Sequence, residues 1–148
     1  MGESLNFLND FWLVQAMKYS LWLYPTVESL HICGIGMLFG SVVLMDLRLL
    51  GVCPNIDFRA ISRLGISVSM FGFTLAVLTG SMMFITHAAD LIGSRLFVIK
   101  MCLIFLLLSN AAVLHMRSGI NAMSKVQAIV SLAGWSTVIG LGRWLAYV

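Results

Sequence analysis

The chain has 148 residues, a length that fits a single domain. Hydrophobic residues make up 60% of it and charged residues only 10%, whereas an average soluble domain carries about 25% charged residues. This composition excludes an ordinary soluble fold and predicts an integral membrane protein. The net charge of +3 comes with nine scattered Lys and Arg residues, which form no basic stripe for nucleic acid.

The N-terminal residues 5–22 mix large apolar side chains with Asn9, Asp10, Gln15 and Lys18. Such a mixture is typical of a helix whose polar face keeps it at the membrane surface. We therefore expect an amphipathic helix that lies in the interface and does not cross the bilayer.

Four apolar stretches follow, each close to the 20 or so helical residues that cross a hydrocarbon core. They occupy residues 25–46, 64–86, 96–115 and 126–147. Because the connections between them are short, consecutive helices should be antiparallel neighbours. The sequence thus predicts an all-α, up-down four-helix membrane bundle as one domain over residues 1–148.

Basic residues around the connections predict the orientation of this bundle. Five of them flank two connections on one side of the membrane, namely Arg48, Arg59, Arg63, Arg117 and Lys125. Basic flanks mark the cytoplasmic side of a membrane protein. We therefore expect a multi-pass protein of the bacterial inner membrane with both termini in the periplasm.

Ionisable residues from four different helical segments are predicted to share the outer third of the bundle: Glu28, His31, His87, Lys100 and Arg143. His115 falls near the inner edge instead. Charged groups within a membrane normally face the bundle interior, a partner or a water-filled cavity, so this clustering predicts a polar site. The alternative is that the basic side chains reach the headgroups and the others form structural pairs.

Two segments carry a resemblance to a known family. The stretch YPTVESLHICGIGMLFGSVVLMDLRLLG, residues 24–51, resembles the first conserved segment of a family of small, largely uncharacterised bacterial four-helix membrane proteins. In that family an aromatic-Pro pair precedes LHxxG and the helix ends in DLRLLG. The third span is also similar, with Phe97, Lys100 and Asn110 at matching spacing. The resemblance implies the architecture of most of the chain and no particular activity.

The layout is more loosely similar to four-helix b-type cytochromes and to the membrane domains of copper-resistance proteins. Haem b is the cofactor that the residues favour, because a bis-histidine haem takes two imidazoles from facing helices and basic groups near its propionates. His31 and His87 are the preferred ligands, although their estimated depths differ by about 10–12 Å. Lys100 and Arg143 are the expected propionate partners, and His31 with His115 is the less favoured pair. Glu28, one turn above His31, is expected to fix the tautomer of its ring or to pair with Lys100 or Arg143.

The predicted function is therefore that of a b-type cytochrome-like electron-transfer protein or subunit, rather than a stand-alone enzyme. Its expected partners are the lipid bilayer, further copies of the chain or a larger membrane redox complex, and a quinone. Two alternatives stay open. One is the handling of copper or another small solute, because Met82, Met83 and His87 offer the soft thioether and imidazole ligands that suit Cu(I). A small chain with little loop also suits an accessory subunit without a cofactor.

Overall fold

The computed structural model describes residues 12–52, 54–116, 122–145 and 147, without the side chains of residues 89, 90, 115, 116 and 122. Every regular element in these residues is a helix, and the helices run as follows: α1 Trp12–Tyr19, α2 Leu23–Leu49, α3 Phe58–Thr86, α4 Ala88–Ile92, α5 Arg95–Met116 and α6 Ala122–Leu145. Four of them, α2, α3, α5 and α6, are long and apolar enough to cross a membrane. The predicted all-α class and the multi-pass membrane character are confirmed.

Helix α1 covers the described part of the predicted interfacial segment. Val14 and Met17 are buried on one side of α1, whereas the polar residues Gln15 and Lys18 are exposed, so the helix is amphipathic. Its eight described residues extend about 12 Å, well short of a hydrocarbon core of about 30 Å. The remainder of the prediction, residues 5–11, lies outside the described residues.

Three long helices, α2, α3 and α5, extend beyond the apolar stretches that predicted them, while α6 begins four residues earlier and ends two residues earlier than predicted. Helix α3 begins at Phe58 rather than near residue 64, because the Asp57 carboxylate accepts a hydrogen bond from the backbone N–H of Arg59 at 3.2 Å and so caps the helix. Helix α2 ends in a Schellman motif, with bonds from the N–H groups of Gly51 and Val52 to the carbonyls of Arg48 and Leu47. Gly51 has φ of +97°, a conformation that glycine adopts at little cost.

The chain forms two compact units. Unit 1 comprises residues 1–38 and 70–94, and unit 2 comprises residues 39–69 and 95–148. In unit 1 the backbones of α2 and α3 touch, since a Cβ built on Gly72 would lie 2.7 Å from the Gly34 carbonyl oxygen and from the Leu38 nitrogen. Glycine at both positions allows this close approach.

Unit 2 contains parts of all four long helices. Its buried apolar side chains include Met45, Leu107, Ala128, Trp135 and Val138. The Asn110 amide of α5 donates a hydrogen bond to the Gln127 carbonyl of α6 at 3.3 Å, and further along these helices Leu107 packs directly on Gly134. The two helices are therefore antiparallel, as the short connection predicts.

Candidate functional site

His31 is held in unit 1 by a hydrogen bond from one long helix to another. Its Nδ1 lies 3.0 Å from the hydroxyl oxygen of Thr79 on α3. That hydroxyl also donates its hydrogen to the Leu75 carbonyl at 2.6 Å. This second bond favours the tautomer in which Nδ1 carries the ring proton and donates it to Thr79.

Gly80 lies beside the His31 ring. A Cβ built on Gly80 would stand 2.9 Å from Cε1 of His31 and 3.9 Å from Nε2. The lack of a side chain at this position lets the imidazole lie against the α3 backbone. His31 is half-buried, and both its orientation and its tautomer follow from its contacts with α3.

His87 occupies a different level of unit 1. It lies between α3 and α4, is exposed, and its ring contacts the Tyr24 ring edge-on at 5.7 Å between centroids. His31 contacts Thr79 and Tyr24 contacts His87, so the two histidines are separated by the rise of the seven residues from 24 to 31, about 10 Å along α2. Two nitrogens on opposite sides of one metal ion lie only about 4 Å apart. The structure does not bring these two imidazoles together.

Glu28 lies on the exposed side of α2. Its negative charge acts on the Tyr24 hydroxyl, one turn earlier on the same helix. The sequence suggested Glu28 as the group that orients the His31 ring, whereas the acceptor found at Nδ1 is Thr79. Thr79 was missed because its 48-residue separation from His31 becomes meaningful only once the α2–α3 register is known.

Lys100 and Arg143 belong to unit 2 and lie at the same end of the α5–α6 pair. The Lys100 side chain is half-buried and runs to α6, where a Cβ built on Gly142 would stand 3.0 Å from its Nζ. Arg143 follows directly, with its guanidinium bonded to the Tyr147 hydroxyl and its Cζ 4.8 Å from the centroid of that ring. Two positive charges thus reach neighbouring positions on α6.

The remaining predicted site residues contribute less. The His115 side chain lies outside the described residues. Met82 and Met83 are half-buried on α3, and the His87 backbone N–H bonds to the carbonyls of Met83 and Phe84. Comparisons with protein-family models, curated proteins and solved structures find no match for this chain.

Proposed function

We propose that this protein is a membrane-embedded b-type cytochrome-like electron-transfer protein or subunit in which His31 is the haem ligand supplied by the chain. The observation that carries the proposal is the hydrogen bond from His31 Nδ1 to Thr79. A ligating histidine usually donates its second ring N–H to an oxygen acceptor, which fixes the tautomer and strengthens the ligating nitrogen. Thr79 provides such an acceptor for Nδ1.

Haem, when bound, supplies one-electron chemistry, and the residues around it tune the potential. The chain's own part is to hold the imidazole by Thr79 and Gly80. That Lys100 and Arg143 serve as propionate partners stays a prediction from the sequence. The α2–α3 register argues against His87 as the second ligand. We therefore propose one histidine ligand per chain rather than the His31–His87 pair that the sequence suggested.

The test is a visible absorption spectrum of the purified full chain, produced with ample haem supply, before and after reduction with dithionite. We expect a reduced-minus-oxidised haem signal that His31→Ala abolishes while the protein stays in the membrane. His87→Ala serves as the matched control and should retain the signal. Wild-type protein without haem would overturn the proposal, and loss of the signal in both variants would restore the paired-ligand model.

A cofactor-free accessory subunit is the second candidate, and a separate observation favours it. Gly36 and Gly40 form a GxxxG pair on α2, and a Cβ built on either would meet no atom within 4 Å. GxxxG pairs commonly lie at contacts between membrane helices, so this side of α2 suits an external helix. A haem-free wild-type protein that co-purifies in fixed stoichiometry with another membrane protein would favour this function.

The cellular setting and the assembly belong to the same proposal. We propose a location in the bacterial inner membrane with both termini in the periplasm, on the basis of the basic flanks of the connections. Membership in the four-helix family is proposed from the LHICG and DLRLLG segments. As protein partners we propose further copies of the chain or a larger membrane redox complex. As the small-molecule redox partner we propose a quinone.

A further inference from the structure

Asp46 is a buried acid in the last turns of α2. It is only 3% exposed. The Ser131 hydroxyl of α6 donates a hydrogen bond to its carboxylate, while the Oδ2 oxygen is buried and receives no hydrogen bond from any described residue. A buried carboxylate oxygen without a partner is costly, because the charge loses its hydration without compensation.

Gln127 carries a second buried acceptor in the same condition. Its side-chain oxygen Oε1 is buried and has no hydrogen-bonding partner among the described residues. Gln127 lies four residues before Ser131 on α6, so the two share one helix face with about 5–6 Å between their Cβ atoms. The bond to Ser131 places the Asp46 carboxylate beside α6, one helical turn from Gln127. The two unsatisfied oxygens therefore belong to residues at neighbouring turns of α6.

Two basic residues lie close to Asp46 and Gln127 in sequence, and both have other surroundings. Arg48, two residues after Asp46, donates hydrogen bonds to the carbonyls of Ile56 and Pro54 at 2.7 and 3.0 Å. Lys125, two residues before Gln127, is exposed. Among the described contacts, no ion pair joins either residue to Asp46. The two unsatisfied atoms, Oδ2 of Asp46 and Oε1 of Gln127, are both oxygens that can act only as acceptors.

We propose that Asp46, Gln127 and Ser131 form a buried binding site for a small monovalent cation, Na⁺. Carboxylate, amide and hydroxyl oxygens are the ligands that hard cations prefer. One carboxylate balances one positive charge, whereas a divalent cation here would leave a net positive charge in an apolar interior. The site lies wholly in unit 2, and it does not depend on a haem at His31.

The experiment is equilibrium binding of radioactive ²²Na⁺ to the purified full chain in detergent at a fixed, mildly alkaline pH. We expect saturable binding that approaches one ion per chain. Asp46→Asn should weaken it by about 100-fold or more, because the ligand charge is removed, and Gln127→Leu by about tenfold, within the range for loss of a group that supports a metal ion. Asp57→Asn is the matched control, since this aspartate is exposed before α3, and it should bind as the wild type does.

The outcome for the wild type decides the proposal even if a variant fails to fold. Absence of saturable Na⁺ binding would overturn it. Binding of equal strength in wild type and in folded Asp46→Asn would also overturn it, because the carboxylate would then be neutralised by a proton alone. Ser131→Ala adds a variant of small volume change, and it should weaken Na⁺ binding without removing it.

Discussion

At the scale of single residues, the hydroxyl of Thr79 links two helices through its hydrogen bonds. It donates to the Leu75 carbonyl within its own helix and accepts from His31 of the neighbouring helix. Threonine hydroxyls that bond only to their own helix are common in this chain, as in Thr74, whose hydroxyl donates to the Met70 carbonyl at 2.9 Å. The second contact, across helices, is what distinguishes Thr79 and gives the imidazole a defined tautomer.

Thr79→Val should test this role with almost no change in volume. The substitution leaves the half-buried Nδ1–H of His31 without its acceptor, which should cost about 1–3 kcal/mol of stability. It should also weaken haem retention by about 10–100-fold, the usual effect of losing the partner of a metal-binding histidine. Both quantities can be measured in detergent, by unfolding and by haem titration.

Thr74→Val is the control for Thr79→Val, because Thr74 is exposed and its hydroxyl bonds to its own helix. It should leave haem retention unchanged and stability nearly so. Thr79→Ser should restore retention, since serine keeps the acceptor oxygen. If Thr79→Val and Thr74→Val behave alike, the hydrogen bond to His31 does not determine ligation.

At the scale of helices, the sequence was sufficient to identify the long helices but not to predict which face of each helix packs against its neighbour. Four apolar stretches of the right length predicted α2, α3, α5 and α6, because membrane thickness dictates helix length. The GxxxG spacing of Gly36 and Gly40 indicates that the two glycines share a face of α2, but it does not indicate which helix that face contacts. In the structure the close helix contact uses Gly34 and Gly72, while a Cβ at Gly36 or Gly40 would meet open space.

The buried pair of Asp46 and Ser131 shows the same limit of sequence reasoning. The two residues are 85 positions apart, and the charge of Asp46 near the end of an apolar stretch is typical of a solvated helix end. In the structure Asp46 is buried, and its carboxylate is bonded to Ser131 of α6. Short α4 was missed for a local reason, since its five residues are too few to show a helical period.

Glycine-to-alanine substitutions can distinguish the glycines at the contact between α2 and α3 from those that face open space. Gly72→Ala places a Cβ 2.7 Å from backbone atoms of Gly34 and Leu38, which cannot rotate away, so α2 and α3 must separate. We expect a loss of about 1–3 kcal/mol in unfolding free energy, typical of overpacking.

Gly36→Ala is the matched control, because a Cβ there meets nothing within 4 Å. Alanine is the better helix former by about 0.5–1 kcal/mol, so this variant should unfold at the same or a slightly higher denaturant concentration than the wild type. Unfolding in mixed detergent, followed by circular dichroism, measures both variants. Equal loss of stability in the two would contradict the observed packing of α2 on α3.

At the scale of the whole molecule, four spanning helices require both ends of the membrane domain to be on one side. Unit 2 carries the connection between α2 and α3, where Arg48 bonds to the carbonyls of Pro54 and Ile56 and so ties the turn to the helix end. Arg59 and Arg63 are exposed on the first turns of α3. The side chains of Arg59 and Arg63 are therefore accessible at this end of the helices, where lipid headgroups and water can reach them.

Reporter fusions test the orientation that these charges predict. A reporter that is active only in the periplasm should be active after Val148, and a cytoplasmic reporter should be active when inserted at Asp57, because positive flanks are retained in the cytoplasm. An insertion at Gly93, in the connection before α5, should match the C-terminal result, since α5 and α6 together cross the membrane twice. The reversed pattern at all three positions would place the basic connections outside and move His31 to the cytoplasmic half of the membrane. Discordant results for Gly93 and Val148 would mean that α5 or α6 does not cross.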